Sequence, residues 1–160
     1  MKRILIALAA VIALLGLSAA PAYAQAGHFI EQGAGAPVCT DIGTQVQCTT
    51  KVAGLGGTTF EVTIEAVGIA SVECTNPGGN VAPGQDTSVT VEGTTEPLPT
   101  PRSGSATVTL RTDPPDPLPP TPTCPNEQWM AEIVGVTFTT ATLTLLEDGV
   151  VSDTIVVTVT

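Results

Sequence analysis

From Pro37 onward the chain alternates Thr with Val, Ile, Leu or Ala at period two. Successive side chains of a β-strand point to opposite faces, so this spacing is the signature of half-buried strands and leaves little room for helices. Phe60, Val62, Ile64 and Ala66 share one parity, and Glu61, Thr63 and Glu65 share the other. One face is therefore expected inward and one in water.

The inward parity continues through Gly68 to Ala70, Val72 and Cys74. A two-residue hairpin at Gly68-Ile69 would carry Ser71 and Glu73 onto the Phe60 face, and the register rejects it. Two alternatives stay open: the strand runs on with a bend, or a three-residue loop, Val67-Gly68-Ile69, turns it back. Further strands are expected at 88–92, with Val89 and Val91 inward, and at 106–112, with Ala106, Val108 and Leu110 inward. A proline-rich stretch at 113–125 follows, whose fixed φ angles favour an extended, stiff crossover between two sheets over a ligand for an SH3-like groove. Beyond it Trp129, Ala131 and Ile133 are read as inward, and the parity then slips to Val136 and Phe138, as one extra residue at Gly135 in a β-bulge would cause. In the last hairpin, a two-residue loop at Asp148-Gly149 would set Leu143 and Leu145 beside Thr154 and Ser152. A three-residue loop, Glu147-Asp148-Gly149, instead gathers Ala141, Leu143, Leu145, Val151, Ile155, Val157 and Val159 on one face. The three-residue form is expected, with Gly149 in the left-handed conformation.

Four cysteines, Cys39, Cys48, Cys74 and Cys124, are read as two disulfides. Cys39 and Cys48 flank Gly43-Thr44, a pair suited to a type II′ hairpin turn. Counting outward from that turn sets Asp41 against Val46, Thr40 against Gln47 and Cys39 against Cys48, the last at a non-hydrogen-bonded pair with Cα atoms ~4.5 Å apart, within reach of a disulfide. Cys74 and Cys124 pair by elimination. No C-x-x-C spacing supports a metal site.

The chain opens with Lys2 and Arg3, an apolar run from Ile4 to Leu17, and Ala22-Tyr23-Ala24, the layout of a Sec signal peptide cleaved after Ala24. The apolar run is too short for a spanning helix, which needs ~20 residues. Residues 1–24 are thus read as the signal, 25–36 as a flexible Gly/Ala-rich arm, and 37–160 as one domain that is secreted and acts outside the cell. Lys51, Arg102 and Arg111 then stand against 15 acidic residues, a formal charge of −12. Such a surface repels phosphate backbones, which excludes nucleic acid as a partner. The mature aromatics are Phe29, Phe60, Trp129 and Phe138, mostly at core-like positions, which argues against a sugar-stacking surface.

Catalytic chemistry is not expected. The one histidine, His28, lies in the arm, far from any nucleophile a triad would need. Glu61, Glu65, Glu73 and Glu92 fall on solvent faces, where paired acid–base work is not set up. The unusual segment is Cys74 to Asp86. Gly78 and Gly79 between Pro77 and Pro83 permit uncommon backbone angles, and Asn76, Asn80 and Asp86 offer oxygens, so Asn76, Gly78, Gly79, Asn80 and Asp86 form the candidate binding loop. Their spacing matches no known calcium loop, and a loop shaped by its own side-chain to backbone bonds is favoured over a metal site. No cofactor is expected.

Short strands in this number, eight or nine, with two disulfides, one buried-type Trp and no amphipathic helix, point to an all-β, immunoglobulin-like two-sheet sandwich, with a closed β-barrel as the alternative. The segment Cys74 to Gln85, together with Gly54-Leu55-Gly56, Cys124-Pro125-Asn126, Trp129 and Val136 to Thr139, resembles a group of small exported actinobacterial proteins with no established activity, over about residues 39–159. Composition and the hairpin disulfide also resemble neocarzinostatin-type apoproteins, which carry a chromophore. The expected role is a secreted, non-catalytic binding or structural module whose partner is an extracellular protein or cell-envelope component. A small-molecule carrier and a protease inhibitor are the alternatives. A monomer is expected over an oligomer built by exchange of the 25–36 arm.

Overall fold

The computed structural model describes residues 26–160. The signal-peptide reading of 1–24 and the start of the arm at Gln25 lie outside the described residues. The strands are β1 (His28–Phe29), β2 (Val38–Asp41), β3 (Val46–Ala53), β4 (Thr59–Thr75), β5 (Val81–Pro83), β6 (Thr87–Thr94), β7 (Leu98–Pro99), β8 (Ser105–Arg111), β9 (Met130–Glu147) and β10 (Val150–Thr158). Eight of these exceed two residues; β1 and β7 are the additional short pieces. They form two packed sheets without closing into a barrel. In the first sheet β3 pairs with β8 on one edge and with both β1 and β2 on the other. In the second the order is β10-β9-β4, and β5, β6 and β7 divide the remaining edge of β4 among them. The proline-rich segment links β8 of the first sheet to β9 of the second.

The period-two pattern explains the core. Phe60, Val62, Ile64, Ala66, Ala70, Val72 and Cys74 of β4 are all buried, and all but Cys74 join Val46, Cys48 and Val52 of the other sheet in one apolar cluster. Strand β4 runs on past Gly68. A Cβ there would stand 2.5 Å from Val136 Cγ1 and 2.8 Å from Phe138 Cδ1, so only glycine lets those side chains cross the strand. The long β4–β9 ladder slips twice. One slip pairs Ser71 with Gly135 and Val72 with Ile133, leaving Val134 as the extra residue beside the glycine that the parity change marked.

Both disulfides form as the spacing indicates, Cys39–Cys48 with Cα atoms 4.1 Å apart and Cys74–Cys124 at 5.8 Å. The first lies in the expected register, with Asp41 opposite Val46 and Thr40 opposite Gln47. The last residues bind β2: Thr160 donates to the Cys39 carbonyl and Asp41 to the Thr160 carbonyl, each at 3.0 Å, joining the sheets along one seam.

Three expectations need correction. Among the described residues the N-terminal segment is not a loose arm, because Phe29 is 2% exposed and β1 pairs with β3, Phe29 facing Val52. Two residues are too few to show a period. The last hairpin has a two-residue loop, with Glu147 opposite Val150, and the side-chain parity is restored by a bulge between Val151 and Asp153. Val151 accordingly points outward at 60% exposure, while Ile155 and Val157 turn toward the core. Trp129 is half-buried and precedes β9, its N–H closing a turn onto the Asn126 carbonyl at 3.2 Å.

Candidate functional site

The candidate loop is a compact turn joining β4 to β5. Asn76 Oδ1 accepts from the Asn80 N–H at 2.9 Å, the Asn76 carbonyl accepts from Gly79 at 2.9 Å, and Asn76 N–H donates to the Asn80 carbonyl at 3.0 Å. Gly79 takes a positive φ of 79°, and Gly78 packs against both asparagine side chains. The Asn76 side-chain oxygen and the Asn76 and Asn80 carbonyls are thus engaged in shaping the turn. Asp86 is exposed and stands apart, on the rim of an open concavity that also includes Glu73, Val81 and Val134. Among the described residues no group of three or more His, Cys, Asp or Glu is arranged to hold a metal ion. His28 is exposed on β1, its Nδ1 3.4 Å from the Ala26 carbonyl.

A second cluster, missed in the sequence, sits at the β9–β10 turn. Glu147 accepts from the backbone N–H groups of Gly27 (2.6 Å), Gly56 (2.7 Å) and Gly57 (3.2 Å), and from the Ser152 hydroxyl (2.9 Å). The single hydroxyl proton of Ser152, the bulged residue, is shared between that carboxylate and the Gly27 carbonyl 2.6 Å away. Next to it Asp148 accepts from the N–H groups of Thr58 at 3.0 Å and Thr59 at 2.9 Å. Partial burial acts to raise the Glu147 pKa, but the hydrogen bonds outweigh it and hold the carboxyl below its ordinary value. Asp148 is likewise lowered, through its bonds from Thr59 and Thr58. With their acceptor positions filled by backbone, the two carboxylates hold the 54–59 loop and the N-terminal segment in place. They are structural groups.

What remains open is the outer face of the second sheet. On β4 the outward residues run Glu65, Val67, Ile69, Ser71 and Glu73. Ladder register sets Glu65 directly opposite Glu92 of β6, and Glu73 opposite Glu132 of β9. Like charges at directly opposed positions destabilise a sheet. Between the two pairs lie Val67 and Ile69, each 50% exposed and flanked by Thr90, Thr140, Ser88 and Thr137. At one end Glu65, Glu92 and Asp113 border an open concavity of about 370 Å³. A smaller one, about 290 Å³, lies between the proline-rich crossover and Ala131 and Ile133.

No family model and no curated protein matches the chain. Among solved structures it is similar to a glycosyl hydrolase family 2 member from Bacteroides cellulosilyticus, with 14% identity and a TM-score of 0.31, over 82% of this chain and 15% of that one. The chain thus spans a small part of that protein, and a likeness of this degree carries no argument about activity.

Proposed function

We propose that this chain is a secreted, non-catalytic binding or structural module that works outside the cell or at the cell envelope through the outer face of its larger sheet. The observation that carries the reading is the apolar strip of Val67 and Ile69 set between two opposed glutamate pairs, an arrangement that costs the isolated domain stability and that a bound partner would offset. The two disulfides fit an oxidising compartment, in keeping with the resemblance to exported actinobacterial proteins. The carrier reading loses support because the space between the sheets is filled by one continuous apolar cluster and the concavities are open and superficial. The inhibitor reading loses support because the Cys74 to Asp86 segment is a tight turn at 76–80 between the paired strands β4 and β5 and offers no long extended loop.

The test is to immobilise the mature chain, pass spent medium and solubilised cell-wall fractions over it, and identify what is retained. A Val67→Asp, Ile69→Asp double variant serves as the control. Retention by the wild type that the variant loses supports the reading. Equal retention by both, none by either, or turnover of the retained material would reject it.

A further inference from the structure

The two outer faces of the sandwich carry opposite charge. On the first sheet the outward positions of β3 and β8 include Gln47, Thr49, Lys51, Thr107, Thr109 and Arg111, all but the half-buried Gln47 exposed. No carboxylate stands at an outward position of β2, β3 or β8, so two of the three basic residues of the described chain share one face. Arg111 donates to the Gln47 amide oxygen at 3.1 Å, which leaves its charge without a carboxylate partner there. The outward positions of the second sheet hold Glu61, Glu65, Glu73, Glu92 and Glu132 and no basic residue.

The spacing of the charges also matches. Arg111 is level with Gln47, four residues along β3 from Lys51. Glu61 and Glu65 are likewise four residues apart on β4. At the rise of an extended strand both intervals are ~13 Å. Two cations on one face therefore meet carboxylates at the same interval on the other, and Val67, two residues beyond Glu65, lies beside the aliphatic stem of the cation set there.

From this we infer that the partner of the acidic face is the first sheet of a second copy of this chain, docked face to face in a head-to-tail contact. The inference rests on the reading of that face given above and names its partner. Because the contact joins different faces, it leaves one free face of each kind and extends into a row. It does not use the N-terminal segment, which is occupied in its own fold by pairing with β3. A face three strands wide and eight residues long measures roughly 14 Å by 27 Å, less than a standard specific interface buries, so each contact is weak and reversible. The net negative charge opposes association at long range, so moderate salt, which screens that repulsion, favours it.

The experiment is sedimentation of the mature chain over a concentration series at moderate salt, with two charge-reversed variants, Lys51→Glu with Arg111→Glu and Glu61→Lys with Glu65→Lys. These positions lie on the outer faces of the two sheets, and a matching thermal midpoint confirms the fold; if a reversal fails to fold, Lys51→Gln with Arg111→Gln and Glu61→Gln with Glu65→Gln replace it and must each weaken association. The expected result is a mass that rises with concentration for the wild type, association weakened more than about tenfold in each reversed variant alone, and recovery when the two reversed variants are mixed. A wild type that stays monomeric, variants that associate as it does, or a mixture that fails to recover would overturn the inference. Retention of a medium or cell-wall component, measured in parallel, separates the two ideas. A monomer that still captures such a component through Val67 and Ile69 contradicts only the self-association, a chain that associates but retains no other component contradicts only the medium or cell-wall partner, and loss of both contradicts the face as a whole.

Discussion

The carboxylate of Glu147 accepts a 2.6 Å hydrogen bond from the backbone N–H of Gly27, 120 residues away in sequence. Through this bond, and the bonds from Gly56, Gly57 and Ser152, one side chain joins the N-terminal segment, the 54–59 loop and the β10 bulge. Glu147→Ala would leave three backbone donors to find water at a partly closed site. The expected loss is about 1–2 kcal/mol. Urea denaturation checks it, and an unchanged midpoint would mean that the junction is not a structural anchor.

The same junction sets an acid response. Glu147 and Asp148 sit below their ordinary values of 4.5 and 3.8 in the folded state. A carboxyl with a depressed folded pKa contributes stability that is present above its unfolded pKa and lost as pH falls through the folded one. The urea midpoint of the wild type should therefore drop progressively on acidification below about pH 4.5, and Glu147→Gln should drop by less. Parallel curves for the two proteins would contradict the linkage.

At the β9–β10 turn both loop residues hold positive φ, 48° at Asp148 and 79° at Gly149. A Cβ is disfavoured there, although nothing lies within 4 Å of where it would stand on Gly149. Gly149→Ala should therefore destabilise by about 1 kcal/mol through backbone strain alone. A midpoint that rises, as expected for a residue at negative φ, would show that the turn is wrongly described.

Thr50 is 1% exposed on the inward side of β3, and among the described residues its hydroxyl has no hydrogen-bond partner. Valine has the same shape without the stranded polar group. Thr50→Val should stabilise by roughly 1 kcal/mol, read as a higher thermal midpoint. Destabilisation would indicate a buried water bound to that hydroxyl.

Local signals were the legible ones. Gly43-Thr44 and the cysteines on either side specify the first hairpin through turn chemistry that acts over a few residues, and the long alternation in β4 specifies which face is buried. The β9–β10 turn was not legible because a three-residue loop and a two-residue loop with a bulge at Ser152 have the same effect on parity. Strand β1 was invisible because side chains from the far end of the chain hold it, Asp153 at the Phe29 N–H and Glu147 at Gly27 just before it. The candidate loop was recognisable as unusual, but its asparagines bond to their own turn. Outward placement of Glu61, Glu65, Glu73 and Glu92 followed from parity alone, whereas Val67 and Ile69 stood in a segment that parity left open between strand and loop. The opposition of Glu65 to Glu92 and of Glu73 to Glu132 depends on ladder register between distant strands, which no local pattern carries.

The most direct test of a module that works through this face is a binding isotherm of labelled mature chain on isolated cell-wall material. The account predicts saturable binding, weakened more than about tenfold in the Val67→Asp, Ile69→Asp variant at an unchanged thermal midpoint. Uptake that never saturates, or a variant that binds as the wild type does, would contradict it.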